Sequence, residues 1–356
     1  MFYGVDLHSD NVKVALLGEE EKIPLTMRCS FGSSSFEKFL KGLTKDDYIA
    51  VEASTNTFWF YDLVVERVKR CIVIDTHQFD IISKSMVKTD KRDAIHLVKF
   101  LKYAILNGET LPEVYVPPKE VREIRQLFTT YNLFKKQIVM DKNRIHSLLK
   151  QNGCKISKES LDKEKTKQLI FSLPLSSTVK VEIELIYQNI ENLTEAINKV
   201  KEEILKKGKI FDKEIRILIS IKGISVFKAI GIMSDVVDIN RFPNAKKFCS
   251  YLRSAPKVDS SNQTTRIGKI NKQSRKLSIT LLIQSINHFR SCKKFDRFYI
   301  EKRKGKSAGK VRVAIARKVL VSIYNMLKRE QYFYYMDKGC YEEKIKEYEN
   351  FLKKVA

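Results

Sequence analysis

Nowhere does the chain contain eighteen uninterrupted apolar residues, the length a membrane-spanning helix requires, so no membrane partner is expected. Cysteine is sparse and scattered: Cys29, Cys71, Cys154, Cys249, Cys292 and Cys340 form no Cys-x-x-Cys pair and no His/Cys cluster. That spacing speaks against a zinc site and a disulfide framework, and reduced thiols in a cytoplasmic setting are expected. The five histidines (8, 77, 96, 146 and 288) have no ligand spacing. The opening Met1-Phe2-Tyr3-Gly4-Val5-Asp6 lacks the basic region and apolar stretch of a secretory leader. No repeat of solenoid length appears. Acid is scarce in one place above all: residues 261–318 hold 17 basic residues and only two acidic ones, Asp296 and Glu301.

What is present is a strongly basic chain of 356 residues with a formal net charge of +25. The charge is unevenly spread. Residues 1–110 carry 15 Lys/Arg against 16 Asp/Glu, which leaves 52 against 26 for the remainder. A near-neutral part followed by a basic body reads as chemistry first and a polyanion grip second. The length predicts two or three domains, and the ordinary apolar content predicts no long disorder.

The first part alternates strand and helix signals. Residues 2–7 and 12–17 read as paired strands, 23–29 as a third, 34–43 as a helix and 48–51 as a buried strand. A helix over 58–70, a strand over 71–74 and a helical region from about 80 to 106 follow. This is the element order of a ribonuclease-H-like layer. Four carboxylates fall at telling positions: Asp6 and Glu52 each end a short apolar run, while Asp90 and Asp93 are three apart and share a helical face. Singly, each has an ordinary reading as turn residue, cap or ion-pair partner. Together they suit a hard divalent cation that handles phosphodiester oxygens.

The middle is helical. Val179, Ile183, Ile186, Ile190, Leu193, Ile197, Val200 and Ile204 alternate spacings of four and three, a heptad pattern. It predicts an antiparallel helical hairpin or a dimerisation arm, with a plain bundle core as the alternative. Beyond residue 211 a helix, a tight turn at Lys222-Gly223-Ile224-Ser225 and a second helix are expected. A polar, hydroxyl-rich loop after Pro256 and basic helices complete the chain. From the residues alone the loop is a phosphate-binding loop, because a hydroxyl needs a base, cation or metal to become a nucleophile. Trp59 reads as a core anchor. Tyr332-Phe333-Tyr334-Tyr335 reads as packing or nucleic-acid stacking rather than as a tyrosine nucleophile.

The set Gly4-Val5-Asp6, Glu52 and Lys88-Thr89-Asp90-Lys91-Arg92-Asp93-Ala94 resembles the DEDD transposases of the insertion sequence 110 group. These are the Piv/MooV-related, bridge-RNA-guided serine recombinases. Ile221-Lys222-Gly223-Ile224, Arg241-Phe242, Tyr251-Leu252, Ala255-Pro256, Ser261, Gly268-Lys269-Ile270 and Ala314-Ile315-Ala316-Arg317-Lys318 continue the likeness. Two positions depart from it: Asn262 stands where the family usually has glycine, and Ser225 where a second glycine is common.

The resemblance implies an α/β RuvC-like (RNase H-like) domain over 1–110 and a helical coiled-coil arm over 111–210. A serine-bearing, mostly α-helical transposase domain over 211–330 and a helical tail over 331–356 would follow. It implies Asp6, Glu52, Asp90 and Asp93 as ligands of Mg²⁺ or Mn²⁺, and Ser261, chosen over Ser260 by its offset from Pro256, as a nucleophile that becomes linked to DNA. The nucleic acid would be gripped by Arg266, Lys269, Lys272, Arg275 and Lys276, and by Lys302, Arg303, Lys310, Arg312, Arg317 and Lys318 in the basic helices. Its implied partners are donor and target DNA, a structured non-coding guide RNA, and further copies of the chain, as a dimer or tetramer with composite active sites. The expected setting is the bacterial cytoplasm at the nucleoid. Two rival readings are a RuvC-like junction nuclease that uses water and a non-catalytic RNA- or DNA-binding architectural protein.

Overall fold

The computed structural model describes residues 1–75, 90–261, 264–270 and 275–355; the side chains of residues 90–92, 257–261, 264–267, 269 and 355 lie outside that description. The chain divides into two compact units, Met1–Pro117 and Pro118–Ala356.

The first unit is built on β1 (Phe2–Leu7), β2 (Asn11–Leu17), β3 (Leu25–Ser30), α1 (Ser34–Gly42), β4 (Tyr48–Glu52), α2 (Thr57–Val64), β5 (Arg70–Ile74) and α3 (Asp90–Asn107). The five strands form one mixed sheet in the order β3-β2-β1-β4-β5. β1–β2 and β2–β3 are antiparallel, and β1–β4 and β4–β5 parallel. Alternation along each strand sorts side chains onto two faces. Val5, Val14, Ile49, Val51 and Val73 pack with Phe36, Phe39, Phe60 and Val64 of α1 and α2. Phe2, Ala15, Ala50, Ile72 and Ile74 pack with Ala94, Leu97, Val98 and Leu101 of α3.

Three sequence expectations shift in the structure. The third strand begins at Leu25, with Ile23 81% exposed, rather than at residue 23. The helix expected over 58–70 ends at Val64, because the chain must turn to enter β5, and Lys69 and Arg70 donate their N–H groups to Asp47 O. Trp59 is half-exposed, its ring stacked on Phe36 at 6.1 Å.

The second unit opens with α4 (Lys119–Gln151), α5 (Glu164–Ser172) and α6 (Ser177–Lys207). α4 has 33 residues, a rod of about 50 Å at 1.5 Å per residue. α4 and α6 pair antiparallel: Glu123 meets Lys207 at 2.8 Å, Asp141 accepts from Asn189 at 2.8 Å and Glu182 accepts from Arg144 at 2.8 Å. The heptad positions Ile183, Ile190, Ile197 and Ile204 are buried in this pairing, each contributing about 1.5–3 kcal/mol relative to exposure. The hairpin has its own core at one end, around Ile145, Leu149, Leu161 and Ile183. At its base Val121, Ile124, Phe128 and Ile204 merge into the main core.

That core is completed by α7 (Asp212–Leu218), α8 (Val226–Val236), α9 (Ala245–Tyr251), α10 (Leu277–Gln284), α11 (Ile286–Phe289), α12 (Lys293–Arg303), α13 (Ala308–Arg329) and α14 (Lys338–Val355), and the chain between α9 and α10 forms the hairpin β6 (Pro256–Ser261) and β7 (Thr264–Ile270). All six cysteines are free thiols. Burial pushes the Cys71 thiol up to about 12, so it behaves as an apolar filler. Among the described residues no helix is long and apolar enough to cross a membrane.

Candidate active site

Parallel register brings two of the four carboxylates together. Val5 of β1 pairs with Val51 of β4, so Asp6 and Glu52, each the next residue, stand side by side where the pairing of these two strands stops. Parity puts both on the face that carries Gly4 and Ala50, which is the face α3 covers. α3 lies very close to β1 here: a Cβ on Gly4 would come within 2.2 Å of Ala94 O and 2.5 Å of Val98 N. Only glycine fits that contact. Farther along α3, Lys102 Nζ donates to Gly18 O at 2.9 Å, just beyond the end of β2 that pairs with Phe2. The helix therefore runs opposite to β1, and its N-terminal turn, with Asp93 and the backbone of Asp90, points toward the Asp6 end.

Two neighbours of Asp6 escaped the sequence reading. His8 Nε2 stands 3.2 Å from Asp6 Oδ2. Lys13 is the residue directly opposite Asp6 across the β1–β2 ladder. The strand period of two, which puts residues 6 and 8 on one side, is the signal that finds His8. Local hydrogen bonds hold the setting. Asn56 Nδ2 donates to His8 O at 2.7 Å, and Thr57 Oγ1 donates to Glu52 O at 2.9 Å.

Paired hard oxygen donors fit a divalent ion, which takes few carboxylates and keeps positions open for phosphate oxygens. Among the described residues, no group of three or more His, Cys, Asp or Glu side chains is drawn together as a metal cage. The Asp90 carboxylate lies outside the described residues.

Ser261 belongs to the second unit. The stretch read from sequence as a polar loop is a β-hairpin, in which Ser261 ends β6 and pairs with Thr264. Its β-branched content (Val258, Thr264, Thr265, Ile267) suits paired strands, and residues 262 and 263 lie outside the described residues. Register thus puts Ser261 at the hairpin's end. Lys272 lies outside the described residues, as do the side chains of Arg266 and Lys269.

The neck of the hairpin is built with care for charge. Arg275 N donates to Tyr251 O at 3.0 Å, joining the chain just before β6 to the chain after β7. Arg275 Nε meets Asp235 Oδ1 at 2.9 Å. The other carboxylate oxygen of Asp235 accepts from Ser278 N at 2.9 Å and Ser278 Oγ at 2.8 Å, which caps α10. Asp235 is fully buried. Arg125 of α4 donates to Ser234 O at 2.7 Å and Asp235 O at 3.3 Å. Burial, with Arg275 nearby, lowers the pKa of Arg125. Arg275, read from sequence as a nucleic-acid contact, thus has a structural bond on one edge of its guanidinium.

Lys276, Arg303, Lys310 and Arg312 are exposed, while Arg317 and Lys302 are half-buried. Lys318 Nζ sits 4.0 Å from the Phe298 ring centroid and Lys302 Nζ 5.5 Å from it, so α12 and α13 bring their cations together around one ring. The turn between α7 and α8 has Gly223 at φ +98°. Ser225, the departure from a second glycine, caps α8 by accepting from Lys228 N.

An α/β layer with paired strand-end acids, followed by a basic helical unit, defines a protein with the parts of a polynucleotide-processing enzyme. Family models sharpen the class: one described as Transposase, of the DEDD insertion-sequence type, matches residues 3–153, and one described as Transposase IS116/IS110/IS902 family matches residues 215–300. The chain belongs to the IS110-family DEDD transposases, enzymes that cleave and rejoin DNA and depend on divalent metal. No curated protein matches it.

Proposed function

We propose that the chain is a Mg²⁺- or Mn²⁺-dependent, RNA-guided DNA transposase that works through a phosphoserine intermediate. The observation that carries the reading is the side-by-side placement of Asp6 and Glu52 where the β1–β4 pairing stops, on the face over which α3 brings Asp93. The strand order, with two antiparallel partners on one side of β1 and two parallel strands on the other, supports a RuvC-like assignment. Asp6, Glu52, Asp90 and Asp93 would hold the ion, which would supply Lewis-acid polarisation of the scissile phosphodiester.

The remaining chemistry belongs to side chains. Ser261 Oγ attacks phosphorus and loses its proton, and the displaced DNA oxygen leaves as a hydroxyl once protonated. The phosphoserine ester conserves the bond energy, so a second DNA hydroxyl can displace serine without a nucleotide cofactor. His8 orients the Asp6 carboxylate. Arg266, Lys269, Lys272, Lys276 and the cations of α12 and α13 grip backbones. A structured non-coding RNA selects donor and target by base pairing, which leaves the protein to read shape and charge. The active form is a homo-oligomer at the bacterial nucleoid.

Denaturing electrophoresis of the chain with labelled DNA tests the mechanism. Ser261→Ala and Asp6→Asn each abolish the protein–DNA adduct, and Ser260→Ala retains it. Full-rate cleavage by Ser261→Ala without any adduct would convert the reading to a water-using nuclease.

A further inference from the structure

The segment between α13 and α14 presents aromatic rings that the packing of the unit does not account for. Three anchors pin it. Phe333 is buried and stacks on Phe295 at 6.0 Å with 6° between ring planes. Its N–H donates to the buried Ser220 Oγ at 2.9 Å. Downstream, Asp337 accepts from Lys222 Nζ at 2.9 Å and from Cys340 N at 3.2 Å. Backbone freedom is therefore already given up here, and whatever the segment displays is held ready.

It displays tyrosine. Tyr334 is 90% exposed, and its ring meets Tyr335, itself half-exposed, at 4.9 Å and 84°. A ring that open adds almost nothing to folding. Its surroundings are cationic. Lys294 Nζ lies 5.5 Å from the Tyr335 centroid, Lys293 and Lys338 are exposed, and Lys222 already neutralises Asp337. A small cavity of about 100 Å³ adjoins the Tyr335 ring, with Lys222, Asp337, His288 and Ser291 as its polar lining. Open π faces beside surplus positive charge suit bases that are not paired, since a duplex hides its base faces and offers only phosphates.

We propose that Tyr334 and Tyr335 form a stacking platform for unpaired bases of single-stranded DNA, whose phosphates are drawn in by Lys293, Lys294 and Lys338. The proposal rests on the DNA substrate of the family and is independent of the serine chemistry and of the guide RNA.

The test is binding of the full-length protein to a short single-stranded DNA carrying 2-aminopurine, read by fluorescence quenching. A matching RNA oligonucleotide and a DNA duplex run alongside. Tyr334→Ala should weaken single-strand affinity by about 5- to 150-fold and relieve the quenching, with duplex affinity unchanged. Tyr334→Trp should restore both, and Tyr334→Leu should not. Because Tyr334 is exposed, each variant should melt as the parent does, and adduct formation at Ser261, scored separately on duplex DNA, should persist. Four results would each overturn the platform: unchanged single-strand affinity in Tyr334→Ala, an equal loss on duplex, rescue by Tyr334→Leu, which would mark an apolar protein-docking site, or quenching with RNA alone.

Discussion

Gly4→Ala is the most economical way to disturb the acidic site without touching an acid. The new methyl would lie 2.2 Å from Ala94 O and 2.5 Å from Val98 N, both backbone atoms that no side-chain rotation can move aside. Ordinary contact requires a retreat of roughly 1 Å, either by α3 from the sheet or by β1 from its neighbours. Overpacking of this kind costs about 1–3 kcal/mol, which should appear as a lowered unfolding midpoint. The functional loss should be larger in proportion, because β1 carries Asp6 and α3 carries Asp93, and a misplacement near 1 Å costs on the order of 100-fold in rate. Gly42→Ala is the control, since nothing lies within 4 Å of its added Cβ and it ends helix α1. It should be neutral or slightly stabilising. The assay pairs thermal unfolding with metal-dependent DNA cleavage. Parental stability and cleavage in Gly4→Ala would refute the close docking of α3 on β1, and with it the placement of Asp93 toward Asp6.

The anchor of the tyrosine segment predicts a pH response. Lys222 holds the Asp337 carboxyl below its usual range, and Asp337 holds Lys222 above its own, so the pair's contribution is constant between those limits. It should fade as pH falls through the depressed Asp337 value and, separately, as pH rises through the raised Lys222 value. The protection of the Cys340 amide, whose N–H bonds Asp337, relative to its intrinsic exchange rate should fall at both extremes, and Asp337→Asn should flatten the profile; a loss of protection at neutral pH would contradict it. Asp235→Ala should cost about 2–4 kcal/mol in denaturant unfolding, discounted because Arg275 can still reach water. A change under about 0.5 kcal/mol would mean that the network at the hairpin neck is incidental.

Strands and acids were legible in the first unit because alternation and strand-end position are local signals. Residues 2–7, 12–17, 48–51 and 71–74 read as strands and are strands. Register is not local. That Asp6 neighbours Glu52 and faces Lys13 follows from pairings between segments many residues apart, which no short window contains. Gly4 looked like part of a motif, whereas its role is to let a helix backbone approach. The serine hairpin was hidden by its hydroxyls, which read as loop until the alternation of Val258 and Ile267 is matched across the turn. Asp235 was harder still. Inside Ile232-Met233-Ser234-Asp235-Val236 it looks like a helix end, and its partner Arg275 lies 40 positions on.

That ion pair bears on why the second unit is built as it is. A buried carboxylate paired with arginine is seldom more stabilising than apolar residues of the same volume. Stability alone therefore gives little reason for a fully buried Asp235, with Arg275, Ser278 and Arg125 around it. Direction does. Hydrophobic contacts are non-directional, whereas one carboxylate that accepts from Arg275 on one oxygen and from Ser278 N on the other fixes where the chain leaves β7 and where α10 starts. The Arg275–Tyr251 backbone bond then ties that exit to the chain entering β6. A hairpin with Ser261 at its end gains its aim from its neck, because an angular slip at residues 251 and 275 is magnified along six residues of strand. The consequence separates geometry from stability: Asp235→Leu combined with Arg275→Met should restore most of the unfolding free energy lost in Asp235→Ala, yet leave adduct formation at Ser261 impaired. Recovery of both together would make the pair a packing element and nothing more.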